Sequence, residues 1–120
     1  MNSQKIKNFK DLRIWQESIE LVEEIYKITK EFPKEELYGI ASQIRQSAVS
    51  LPSNIAEGFM GYHNKEFKQF LFIALASSAE IETQLIISRK LGYVAKQKLD
   101  EPSESIDKLN RMMMTLIKRL

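Results

Sequence analysis

Apolar residues return every third or fourth position through almost the whole chain, and nowhere do they alternate with period two. Leu12, Trp15, Ile19, Val22 and Tyr26 open the pattern. Leu37, Ile40, Ile44, Ala48, Leu51 and Ile55 continue it, residues 67–91 extend it, and Ile106, Leu109, Met113, Leu116 and Leu120 close it. Side chains three and four apart share one face of an α-helix, whereas a half-buried strand repeats every second residue. The spacing therefore predicts an all-α fold of four helices. Pro33 ends the first, Gly58 and Gly61 interrupt the end of the second, and Asn64 is placed to cap the third. Gly92 suits a left-handed close to that helix, and Asp100 and Pro102 suit the start of the fourth. Short connections make neighbouring helices run in opposite directions, so the expected architecture is an antiparallel up-down-up-down four-helix bundle. At 120 residues the chain makes one domain, residues 1–120, with residues 1–8 as a flexible tail.

The stretch SLPSNIAEG, residues 50–58, tests that reading. A proline inside a helix removes one hydrogen bond and crowds a carbonyl, at about 3 kcal/mol. Yet Ile40, Ile44, Ala48, Leu51, Ile55 and Phe59 hold a single stripe across Pro52, and a loop would have let the phase drift. The expectation is one helix kinked at Pro52, with Ser53 and Asn54 helping to satisfy exposed backbone groups.

On a helical wheel the first helix carries two apolar stripes, Trp15's and a second made of Ile14, Leu21, Ile25, Ile28 and Phe32. A bundle needs little more than one, so either its neighbours wrap this helix deeply or the spare stripe is a subunit interface. The third helix is apolar nearly all round and is expected to be the most buried. Both features favour self-association. Arg45 falls inside an apolar arc and requires an anion. Glu82 and Glu80 also project from apolar surface, so either is its expected partner. Arg45, Asn54, Glu57, Glu80 and Glu82 are thus read as a structural polar cluster, with an anion site at Arg45 as the functional alternative.

No constellation calls for catalysis. The sequence has no cysteine, and its one histidine, His63, has Met60 rather than an acid three residues before it, which excludes a di-iron bundle motif. The serines suit helix packing, the glycines form no phosphate loop, and Met112 and Met113 fall on the core stripe. The expectation is no enzyme, no cofactor and no metal. The N-terminus lacks the apolar core of a signal peptide, and the run FLFIALA, residues 70–76, is too short to span a bilayer, so a cytoplasmic chain with no membrane partner is expected.

A formal charge of +2 implies no particular partner, but its distribution is uneven. In an up-down-up-down bundle the start of the first helix, the second turn and the end of the last helix meet. That pole gathers Lys5, Lys7, Lys10, Arg13, His63, Lys65, Lys68, Lys118 and Arg119 against Asp11, Glu17, Glu57 and Glu66. Two readings are open: an ordinary solvated end with a disordered basic tail, or, repeated by symmetry in an oligomer, a surface that would engage several phosphates.

The blocks FPKEE followed by YG, Gln43-Ile44-Arg45, residues 50–58, and Ala79-Glu80-Ile81-Glu82-Thr83-Gln84-Leu85 resemble the proteins encoded in intervening sequences of bacterial 23S ribosomal RNA genes. The likeness runs from Phe9 to about Leu120 and departs at LDEPSES, where Pro102 unsettles the start of the last helix. It implies a four-helix bundle assembled as a homopentameric ring with no established enzymatic activity. The fold is also similar to the accessory proteins of diversity-generating retroelements, which associate with reverse transcriptase and nucleic acid. The implied partners are other copies of the chain, RNA or another nucleic acid, or a protein for which this chain is an adaptor.

Overall fold

The computed structural model describes residues 6–120, which form α1 (Arg13–Thr29), α2 (Ile40–Met60), α3 (Asn64–Lys90) and α4 (Asp100–Arg119). Short 3-10 turns lie at Phe9–Asp11, Lys34–Glu36 and Lys96–Leu99, and there is no strand among the described residues. Each helix packs on its neighbours in chain order, and α4 returns to α1 to close the bundle. Cross-helix bonds fix the register. Ser47 and Ser50 on α2 meet Glu80 and Ser77 on α3, and Glu17 and Glu24 on α1 meet Lys108 and Ser105 on α4. Rising numbers on one helix meet falling numbers on the next, the register of antiparallel neighbours.

Leu21, Ile25, Ile44, Leu51, Ile55, Leu71, Ile81, Ile106, Leu109 and Met113 are fully buried at the centre. Each gains about 1.5–3 kcal/mol over an exposed position, which makes this stripe the main determinant of the arrangement. Of the two stripes on α1, the one through Ile14, Leu21 and Ile25 enters the core. Trp15, Ile19 and Val22 are only half-buried, and Tyr26 is exposed. Ser18 and Thr29 lie inside by donating to the carbonyls of Trp15 and Ile25 in their own helix.

The third helix departs from expectation. In a closed ring of four helices each one is covered only by its two neighbours, so α3 has a buried face and a bare one and is not buried all round. Its N-cap is His63 and not Asn64, with no side-chain bond to the first turn. Its end follows the sequence. Gly92 takes φ 82°, and the N–H groups of Gly92 and Tyr93 donate to the carbonyls of Arg89 and Ser88, the Schellman arrangement. The 3-10 turn Lys96–Leu99 leads directly into α4, and Pro102 occupies its first turn, where a missing N–H costs nothing. Residues 1–5 of the expected tail lie outside the described residues, while Asn8 accepts a bond from the Lys10 N–H and opens the first turn.

α2 runs unbroken through Pro52, which is buried. Around it Ser50 Oγ donates to the Ser47 carbonyl at 2.6 Å and Asn54 Nδ2 to the Ser50 carbonyl at 2.8 Å. Ser53, also expected to help, is exposed and makes no such bond. Further along, a Cβ on Gly58 would stand 2.6 Å from Phe70 Cβ, so the last turns of α2 approach α3 to a distance only glycine allows. Gly58→Ala is expected to cost about 1–3 kcal/mol by overpacking, despite alanine's advantage of about 1 kcal/mol in an unconstrained helix. Urea unfolding measures this, and an unchanged midpoint would contradict the close contact.

On the α1–α4 seam the Glu24 carboxyl is held above its ordinary value, first by burial and then by Glu101, Glu20 and Glu17, against the lowering effect of the Ser105 bond. A carboxyl with a raised folded pKa binds its proton more tightly when folded. Its ionised form therefore costs stability above that pKa, and the cost disappears as pH falls through it to below 4.5. Glu24→Gln is expected to raise the urea midpoint at pH 7, with the gain vanishing near pH 4.

Candidate functional site

At one pole the N-terminal segment, the α2–α3 turn and the end of α4 come together around an open cleft of about 990 Å³. Lys7, His63 and Arg119 line it beside Phe59, Tyr62 and Phe67, and no acidic side chain does. Lys10, Arg13, Lys65 and Lys118 are exposed outside the lining, Lys68 is half-buried, and Lys5 lies outside the described residues. Among the described residues the ion pairs are Lys98–Glu31 at 2.6 Å and Lys108–Glu17 at 3.2 Å, so neither ties up a base of this pole.

The second feature is the outward face of α3. Phe72, Ile73, Ile86 and Ile87 are 51%, 49%, 44% and 43% exposed, and Ala76, Ala79, Thr83 and the carboxylate Glu80 lie exposed between them. From Phe72 to Ile87 the strip is about 22 Å long at 1.5 Å per residue. By length and composition α3 is apolar enough to cross a bilayer, which the short run at residues 70–76 understated. Its other face, through Leu71, Ala74, Ser78, Ile81 and Leu85, belongs to the bundle core.

The third is a groove of about 560 Å³ between α1 and α2, where Tyr26, Leu37, Tyr38, Arg45 and Val49 meet. Arg45 does not pair with Glu82 or Glu80, as the wheel had suggested. It turns toward α1, where Nε donates to Thr29 Oγ1 at 2.8 Å and the guanidinium lies 4.6 Å from the centre of the Tyr26 ring. A cation over an aromatic face replaces the expected carboxylate. The polar cluster is correspondingly divided. Asn54 bonds its own helix, Glu80 accepts from Ser47 Oγ at 3.1 Å, and Glu57 and Glu82 are exposed. Thr29 and Tyr26 were missed because a wheel of α2 gives an angle but does not say which neighbour lies there. No group of three or more acidic or histidine side chains among the described residues is placed to hold a metal ion.

Residues 10–115 match the family described as 23S rRNA-intervening sequence protein. The chain belongs to that family. The match takes in all of α1, α2 and α3 and most of α4. Among solved structures, the fold is similar to the crystal structure of a protein of unknown function from the S23 ribosomal protein family of Bacteroides thetaiotaomicron. The two are 22% identical, over 88% of this chain and 98% of that one, with a TM-score of 0.80. No curated protein matches. At that identity the structural likeness speaks for the shared fold alone.

A double-mutant cycle separates the two readings of Arg45. Arg45→Met with Thr29→Val is expected to show a coupling of about 0.5–1.5 kcal/mol in unfolding, the value of one hydrogen bond. Arg45→Met with Glu82→Leu should be additive within about 0.5 kcal/mol.

Proposed function

We propose that this family member is a non-catalytic helical scaffold whose copies associate through the outward face of α3, and whose assembly binds RNA or another nucleic acid at the basic pole. The observation that carries this reading is the row Phe72, Ile73, Ile86 and Ile87, half-exposed along one side of a helix whose other side is core. The strip is roughly 22 Å by 10 Å, well below the ~800 Å² per partner of a stable interface. Further surface is therefore required, and the exposed Tyr26, Leu37, Tyr38 and Val49 around the α1–α2 groove supply it. Two different apolar surfaces on one chain favour head-to-tail contacts, which close into a ring when the rotation allows. That agrees with the homopentamer implied by the resemblance. A ring places every basic pole in the same environment and multiplies weak phosphate contacts.

Native mass measurement is expected to give a multiple of 14.0 kDa, five-fold for the ring. Phe72→Glu combined with Ile87→Glu should return the single chain with its helical content intact. A wild-type chain that stays single and captures a specific protein through α3 would favour the adaptor reading instead. For nucleic acid, affinity should fall steeply with salt, and charge reversal at Lys7, Lys10, Lys65 or Arg119 should reduce the salt slope by about 1 each. Absence of binding at low ionic strength would contradict this part of the proposal.

A further inference from the structure

We infer that the cleft at the basic pole takes single-stranded nucleic acid, with one unpaired base stacked on the ring of Tyr62. This rests on the nucleic-acid reading above and goes beyond it by naming the form of the ligand and the side chain that selects it. Tyr62 has φ 65°, the only positive value at a non-glycine residue among those described, and it is 83% exposed. A left-handed conformation is costly for a bulky side chain, and helices that end this way usually place glycine at that position.

Here the glycine stands one residue earlier. Gly61 is right-handed, and the one close neighbour of a Cβ there would be the movable end of the Glu66 side chain. The left-handed position falls to Tyr62 and not to the glycine before it. The tyrosine gains no burial in return, since its ring projects into solvent at the mouth of the cleft. A strained aromatic held out of the core is a conformational cost with no counterpart in the packing.

The surroundings indicate its use. Lys7 and Arg119 share the cleft with that ring, and the floor is the edge-to-face pair Phe59 and Phe67, 5.9 Å between centres. Cations beside an uncovered aromatic face are the elements of single-strand binding, in which the cations follow the phosphates and the ring stacks on a base. A duplex keeps its bases stacked on each other and would meet only the cations. The stacking surface therefore discriminates unpaired from paired strands, and does so without reading sequence.

The test compares wild-type protein with Tyr62→Ala, Tyr62→Trp and Tyr62→Gly by fluorescence anisotropy on a labelled 12-nucleotide oligouridine, the matching oligothymidine and a 12-base-pair duplex at low salt. Tyr62→Ala is expected to weaken binding of the single strands about 5- to 100-fold while changing duplex affinity less than about two-fold, and Tyr62→Trp should restore single-strand binding. Tyr62→Gly should bind as poorly as alanine yet raise the unfolding midpoint, because it removes the left-handed strain. Weakening of the oligouridine alone would identify the source as RNA, and equal weakening of both strands would identify single strands in general; either supports the inference. Equal loss on single strands and duplex, no loss with alanine, or a lower midpoint with glycine would overturn it while leaving the basic-pole reading intact. Absence of wild-type binding to all three probes would overturn both.

Discussion

The rest of the structure depends on how closely α2 can approach α3. At Gly58 the two helices come within the width of a side chain that glycine lacks, and the hydroxyls of Ser50 and Ser77 meet at 2.8 Å further along the same seam. Gly58 on α2 and the small Ser50 and Ser77 allow this, and the same orientation turns Phe72, Ile73, Ile86 and Ile87 away from the core. Tight packing on one side and bare apolar surface on the other are thus two results of one orientation. The short turn that joins α2 to α3 holds Tyr62 in its left-handed conformation.

Much of this was legible from residue spacing. The unbroken stripe from Ile40 to Phe59 correctly required a helix that passes through Pro52, because a change of path would have moved the later residues to another face. Gly92 marked the end of α3 because no other residue enters the left-handed region so readily. The excess apolar surface was legible as well, but its location was not. Periodicity shows that α3 has two apolar faces, and only the packing of three other helices shows which one is left uncovered.

Charged and polar positions were the least readable. Arg45 looked like half of a buried ion pair, but a guanidinium can be accommodated by a hydroxyl and an aromatic face, and Thr29 and Tyr26 provide both. Nothing in their spacing marks them as its partners, since the contact crosses from α1 to α2. Tyr62 went unnoticed for a different reason. A tyrosine after a glycine reads as an ordinary turn residue, and nothing in the spacing shows that it, and not the glycine, takes the left-handed conformation. The basic pole, by contrast, followed from topology alone, because helix order fixes which chain ends meet.

The absence of cysteine offers a direct test of the central claim, that further copies of the chain cover the outward face of α3. A single Ala76→Cys thiol, in the middle of that face, can be alkylated under native conditions and compared with a Glu104→Cys thiol on the exposed side of α4. The account predicts that the Ala76→Cys thiol reacts far more slowly than the Glu104→Cys thiol at high protein concentration, and that the two rates converge on dilution. Equal and rapid alkylation of both at every concentration would contradict it.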